Sequence, residues 1–304
     1  MTEAAAAASL CRVTIIRRLF IVAALISVAA APQPSGWRTL WNGKNLDGWT
    51  TWMQNPSPTS DVPGLKRDDN GRYLEPIGSG RDPLKVFTVA EDVDGRSAIR
   101  ISGEAFGELR SKESFEDYHL KLQFKWGEKK WPPRDGPTTQ RDSGLLYHVH
   151  AEPGAQGRTW ARSIELQIQE HDVGDLYAVG STIAVRSKVR PGTTPPVYDY
   201  DPAGEWFFFS QSHGSSGRCV KQPDNEKPTG EWNTVELICF RNDSIHIVNG
   251  QVVMRLHAPM RIDTDLPTPV TSGPIILQSE GAEVFYRDIQ IRPIKAIPAE
   301  YAEK

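Results

Sequence analysis

Between residues 142 and 171 the sequence gathers side chains that move protons or exchange hydrogen bonds: His148, His150, Glu165, Gln167, Gln169, Glu170 and His171. Read as a strand, Ser163 to His171 places Ser163, Glu165, Gln167, Gln169 and His171 on one face and Ile164, Leu166 and Ile168 on the other. In Gly144 to His150 the even positions put His148 and His150 on one face, spaced as two ligands or as a base and its partner. If the two strands are neighbours, two imidazoles, one carboxylate and two carboxamides meet on one surface. Such a set suits general acid–base chemistry, because an imidazole titrates near neutral pH and a carboxyl can be tuned towards it. The competing reading is an ordinary solvated sheet face.

The elements that must hold these residues show a period of two. Tyr118 to Trp126 alternates strictly, with Tyr118, Leu120, Leu122, Phe124 and Trp126 on one side and His119, Lys121, Gln123 and Lys125 on the other. Similar runs span Ser97 to Ile101, Thr234 to Phe240, Ser244 to Val248, Gln251 to Leu256, Pro274 to Gln278 and Val284 to Ile291. Asn249-Gly250 supplies the two positive-φ residues of a type I′ hairpin turn. No segment after residue 32 keeps a helical period for three turns. The pattern predicts an all-β sandwich or jelly roll. Three stretches read as loops: Met53 to Arg72, Lys129 to Asp142 and Arg186 to Gly230. The third carries Tyr198, Tyr200, Trp206, Phe207, Phe208 and Phe209, too aromatic for a solvated linker. It is either a wall over one face or a packed surface excursion.

Composition narrows the partners. Of 304 residues, 38% are hydrophobic and 24% charged, with a net charge of −3. That composition fits a globular chain and lacks the basic excess that a phosphate backbone requires, so nucleic acid is not an expected partner. Arg12, Arg17 and Arg18 precede an apolar run from Leu19 to Ala31 and the small residues Ala29-Ala30-Ala31, the pattern of a secretory signal over residues 1–31. The run is shorter than the roughly 20 residues of a membrane span, so no stable span is expected after cleavage. The expected product is an acidic exported protein, periplasmic or secreted. In that compartment Cys219 and Cys239 either form a disulfide or stand as two isolated thiols.

Several ordered motifs carry a resemblance. Trp41-Asn42-Gly43-Lys44-Asn45-Leu46-Asp47-Gly48-Trp49 opens the set. Asp142-Ser143-Gly144-Leu145-Leu146-Tyr147, Ile164-Glu165-Leu166-Gln167-Ile168 and Gly230-Glu231-Trp232-Asn233 follow, then Val248-Asn249-Gly250, Gly273 to Gln278 and Phe285 to Ile289. Taken in order, they resemble the 3-keto-disaccharide hydrolase family, whose fold is a concanavalin A-like jelly roll. The resemblance implies one β-sandwich domain over 36–294 and a C-terminal tail over 295–304. His148 departs from it, standing where many relatives have Arg after the Tyr.

The resemblance implies chemistry on a sugar already oxidised to a ketone at C3. The ketone acidifies the C2 hydrogen, a base removes it, and the group on C1 leaves by elimination, with net hydrolysis if water adds back. This needs a base and something positive over the ketone oxygen. Glu165, His150 and Glu170 are the expected catalytic residues; His148, Gln167, Tyr147, Trp160 and Gln278 are the expected substrate contacts. Trp160, just before the polar strand, would be a stacking platform for a sugar ring. His150, Glu165 and His171 could hold a divalent ion, with mixed nitrogen and oxygen ligation suiting Zn or Mn. Gln278 and Glu280 either reach this face or complete hydrogen bonding at the sheet edge. Two other readings stand beside this one. A non-catalytic glycan-binding jelly-roll module would need stacking aromatics and neutral donors but no titrating base. Glu165-x-Gln167-x-x-Glu170 also resembles the E-x-D-x-x-E strand of laminarinase-type glycoside hydrolases, with Gln167 in place of the central carboxylate.

Overall fold

Strict alternation buries one face of a strand, so a chain built this way must stack sheets face to face. A computed structural model describes residues 36–211 and 216–303, and there two large antiparallel sheets enclose one core. The first, of 12 strands, has the central order Tyr198–Tyr200, Ser181–Val189, Gln251–Arg261, Asp243–Val248, Asn233–Phe240, Tyr118–Lys130, Ala282–Pro293, Arg96–Ile101 and Phe87–Val93. The second, of eight, runs Arg218–Cys219, Leu176–Val179, Ser163–Gln169, Asp142–Tyr147, Ile276–Ser279, Gly107–Ser111, Trp49–Met53 and Gly78–Ser79. Leu120, Leu122, Phe124 and Trp126 from the first sheet join Leu145, Tyr147, Ile164, Leu166 and Ile168 from the second in one apolar cluster. This is the all-β jelly-roll sandwich the alternation predicts. The only helical element among the described residues is the 3-10 turn Ala299–Tyr301, and no helix there is long and apolar enough to cross a membrane. The predicted signal segment lies outside the described residues.

Burial fixes the parity of the strand that matters most. Ile164, Leu166 and Ile168 are fully enclosed, each contributing about 1.5–3 kcal/mol, and a slip of one residue would turn all three outward. Their neighbours Glu165, Gln167 and Gln169 are thereby committed to the opposite side of the sheet. The Asn249-Gly250 hairpin forms as expected, with φ of 49° and 81° between strands paired from Asp243 to His257.

Three expectations change. The strand expected from Gly144 to His150 is Asp142–Tyr147, ending where His148 turns to a φ of 51°. The alternation that would have aligned His148 with His150 stops there. The long excursion from Arg186 to Gly230 is not a plain loop, since Tyr198–Tyr200 and Glu205–Phe209 both pair with Ser181–Val189. The tail is docked through Tyr301, whose carbonyl accepts Arg255 Nη2 at 2.6 Å and whose ring meets His119 edge-on. Cys219 and Cys239 are free thiols, both buried, Cys219 on the eight-stranded sheet and Cys239 on the 12-stranded one. Burial pushes both thiols up, away from the reactive thiolate. A chain beginning at Gly36, unfolded without reductant, should therefore titrate two thiols with a thiol-specific chromophore and react far more slowly when folded; no titratable thiol before reduction would contradict this.

Candidate active site

The residues that parity drives out of the core meet in a cleft of about 350 Å³ on the side of the eight-stranded sheet away from the core. Glu165, Gln167 and Gln169 reach it from Ser163–Gln169, Asp142 from the next strand, Gln278 and Glu280 from the closing strand and the turn after it. Register explains the gathering. Gln169 lies opposite Asp142 and Gln167 opposite Gly144, while Gln278 lies opposite Glu108 on the far side of its strand. Gly144 is required here for space. A Cβ at that position would fall 2.1 Å from Glu165 Oε1 and 2.3 Å from Gln278 Oε1, so the glycine of Asp142-Ser143-Gly144 leaves the floor open for the two side chains.

Three carboxyls and one guanidinium set the electrostatics. Arg134 Nη2 donates to both Asp142 Oδ2 and Glu280 Oε1, the latter at 3.1 Å, and Gln169 Nε2 donates to Asp142 Oδ2 at 2.6 Å. Burial raises the Asp142 carboxyl well above its ordinary range, and the Glu280 charge adds to this; Arg134 and Gln169 oppose it. Burial also raises Glu280, again against Arg134. Glu165 is 5% exposed and has no hydrogen-bond partner among the described residues. Burial first, and then the charges of Glu280 and Asp142, lift it well above the usual carboxylate range with no cation to offset them. Environment therefore separates the groups: Glu165 has no cation to offset the factors that oppose its charge, whereas Asp142 and Glu280 share Arg134.

Unused hydrogen-bonding capacity lies in the residues that line the cleft. Asp142 Oδ1, Gln278 Oε1 and Arg134 Nε are buried without a partner. Gln167 Oε1 accepts from Ile168 N at 3.0 Å, which leaves its amide group free to donate. Trp160 lines the cleft as a platform and lies nearly parallel to Phe106, with centroids 6.1 Å apart. Tyr177, paired opposite Glu165, forms a further wall.

Other expected site residues lie elsewhere. His150 lines a separate hollow with Arg110 and Arg261, its Nδ1 3.0 Å from the His148 carbonyl. His148 is almost fully buried, and burial followed by the neighbouring His150 lowers its pKa to about 3, so it is neutral and away from the cleft. Tyr147 points into the core, its hydroxyl 3.1 Å from Ser244 Oγ and 3.0 Å from His246 Nε2. Both corrections follow from the strand ending at Tyr147, where core parity claims the Tyr and the turn removes the His. Glu170 leaves the face as the strand ends. Burial opposes its ionisation, but the Arg141 backbone and guanidinium and Thr229 Oγ1 bond to it and hold it below the usual range. It does not line the cleft, so no second carboxylate stands where the laminarinase-type pattern requires one. His171 takes a φ of 72° and its backbone N–H donates to Glu226 Oε2 at 2.7 Å.

His150, Glu165 and His171 thus do not fit a common divalent ion. Among the described residues no three His, Cys, Asp or Glu side chains converge as ligands, and two of the cleft carboxyls already bond Arg134. The sequence reading overlooked Arg134, Asp142, Tyr177 and Glu108. Asp142 was within reach, because it shares the parity of Gly144. Arg134 sits in an aperiodic Pro-rich stretch that carries no such signal.

Glu108 is fully buried beside the cleft floor, its Oε1 accepting from Ala161 N at 2.6 Å and its Oε2 unpartnered. Burial lifts its pKa from 4.5 to about 7. The unfolded chain ionises first, so this carboxyl's contribution to stability is present below pH 4.5 and is lost as pH rises to about 7. Against wild type, Glu108→Gln should gain stability across that interval, by up to about 3 kcal/mol above pH 7; an equal difference in Tm at pH 5 and pH 8 would contradict the assignment.

A family model described as a 3-keto-alpha-glucoside-1,2-lyase-like domain matches residues 36–292. No curated protein matches the sequence significantly. Among solved structures, a candidate glycosyl hydrolase from Parabacteroides distasonis is 17% identical, with a TM-score of 0.43 over 86% of this chain and 94% of that one. A carbohydrate-binding module from Bacillus subtilis is 10% identical, with a TM-score of 0.38 over 68% and 91%. A mixed-linkage-glucan GH16 from Bacteroides ovatus, solved with product, is 9% identical, with a TM-score of 0.38 over 84% and 98%.

Proposed function

The chain belongs to the 3-keto-alpha-glucoside-1,2-lyase-like family, carbohydrate-active proteins of jelly-roll fold, and from that premise we propose that it is an exported enzyme cleaving 3-keto-glycosides at the Glu165 cleft. The observation that carries this reading is the contrast among three carboxyls in one cleft: buried Asp142 and half-buried Glu280 share the Arg134 guanidinium, and buried Glu165 has no partner. A binding module has no use for carboxyls whose burial opposes their charge, whereas an elimination needs both a base and an acid.

Each part of the cleft has a step to perform. The Asp142–Glu280 pair, its negative charge steadied by Arg134, takes the C2 proton of the bound 3-keto-sugar. The Arg134 guanidinium, which lines the cleft, donates to the ketone oxygen as it becomes an enolate oxygen, supplying the positive group the chemistry requires. The C2 electron pair then forms the C1–C2 double bond while the C1 oxygen departs, and Glu165 delivers its proton to that oxygen. Water adding back at C1 converts the elimination into net hydrolysis. Gln167 and Gln278 bond the ring hydroxyls, and Trp160 stacks on a sugar face.

Turnover of a 3-keto-glucoside by purified protein should fall by about 10²–10⁴ in Glu165→Gln and in Asp142→Asn, with the fold intact by circular dichroism. His150→Ala, outside the cleft, should turn over at close to the wild-type rate. Near wild-type rates in both carboxyl variants would overturn the assignment. A wild-type protein that binds glycans but turns over neither the oxidised sugar nor its parent would make it a binding module.

A further inference from the structure

A second hollow, of about 950 Å³, lies on the 12-stranded sheet, between the strand carrying Trp206 and the docked C-terminal segment. It shares no residue with the Glu165 cleft. Trp206 is 49% exposed and Phe208, two residues along the same strand, 58%, so an aromatic stripe faces outward. The Arg186 guanidinium, opposite Trp206 in the strand pair, lies 4.8 Å from the centre of its indole. His257 flanks the same ring at 5.9 Å and is joined through Nδ1 to Asp243 Oδ1 at 2.6 Å. Arg255 and Glu303 line the far side, 3.8 Å apart.

From this geometry we propose that the hollow is a second carbohydrate-binding site, taking an uncharged oligosaccharide. An indole offers the flat apolar surface that matches the C–H face of a sugar ring, and carboxylate, guanidinium and imidazole groups around it match its hydroxyls. The charges are of both signs and interleaved, so the hollow selects neither a polyanion nor a polycation. The centre of a protein–protein interface, in contrast, is depleted in charged residues. Its volume is well over twice that of the cleft, so it holds more of a chain than the reacting end. The site would keep the enzyme on a polymer or oligomer while the other sheet works on a small glycoside. This inference rests on the carbohydrate-active reading but not on the elimination chemistry.

The test is calorimetric titration of the full protein with maltohexaose and with cellohexaose. Wild type should bind at least one of them, and Trp206→Ala should weaken that binding at least tenfold while turnover of a 3-keto-glucoside stays within twofold. Asp243→Asn, which keeps the size of the side chain, should weaken binding as well and serves if Trp206→Ala fails to fold. The proposal is overturned if wild type binds neither hexaose, if both variants bind as wild type does, or if light scattering shows a dimer that Trp206→Ala dissociates. Loss of the elimination reading alone would look different: no turnover by wild type, with hexaose binding still dependent on Trp206.

Discussion

Three carboxyls around one guanidinium are the constraint on which the rest of this structure turns. Asp142 and Glu165 are buried and Glu280 half-buried; the Glu280 charge disfavours ionisation of both others, the Asp142 charge disfavours that of Glu165, and Arg134 bonds only Asp142 and Glu280. In a medium less polarisable than water, the three cannot all ionise. The group without a cation is the one whose charge nothing offsets, which sets Glu165 apart from the pair on Arg134. Such an arrangement costs stability, since any of these side chains would be better solvated on the surface. The fold must offset that cost elsewhere.

It does so through a core that is apolar on both inner faces and through parity that cannot slip. The same alternation that buries Ile164, Leu166 and Ile168 forces Glu165, Gln167 and Gln169 outward. Stability and function are thus written into alternate positions of one strand. The neighbouring strand contributes by absence: Gly144 has no side chain where Glu165 and Gln278 need room. A rigid sheet with such a gap holds the carboxyl more firmly than a loop would, as a site built on preorganised electrostatics demands.

Much of this was legible in the sequence, and the limits have physical causes. Strands with clean alternation could be read closely, Ser163–Gln169 to within two residues at its end, because only one face of each reaches the core. Glu165, Gln167 and Gln278 reach the cleft for that reason, and Trp160 lines it from outside the strands. His148 and His150 were misplaced because a left-handed residue at 148 ends the strand, and nothing in the alternation of Gly144 to His150 announces that turn. Tyr147 was read as a substrate contact although the parity that puts Gly144 on the outer face puts Tyr147 in the core. Arg134 acts through a tertiary contact with Glu280, 146 residues away, and no local pattern encodes such a pairing. Strands such as Glu205–Phe209 escaped notice because edge strands with aromatics on both faces have no period to detect.

The proposed mechanism requires Glu165, whose burial without a cation raises it well above the usual carboxylate range, to hold its proton while Arg134 steadies the charge of its neighbours. Infrared difference spectroscopy of the carboxyl groups at pH 7, comparing wild type with Glu165→Gln, tests it directly. A protonated-carboxyl band present in wild type and diminished in the variant is the expected result. A wild-type spectrum showing only ionised carboxylates at pH 7, or a protonated band unchanged by the substitution, would contradict it.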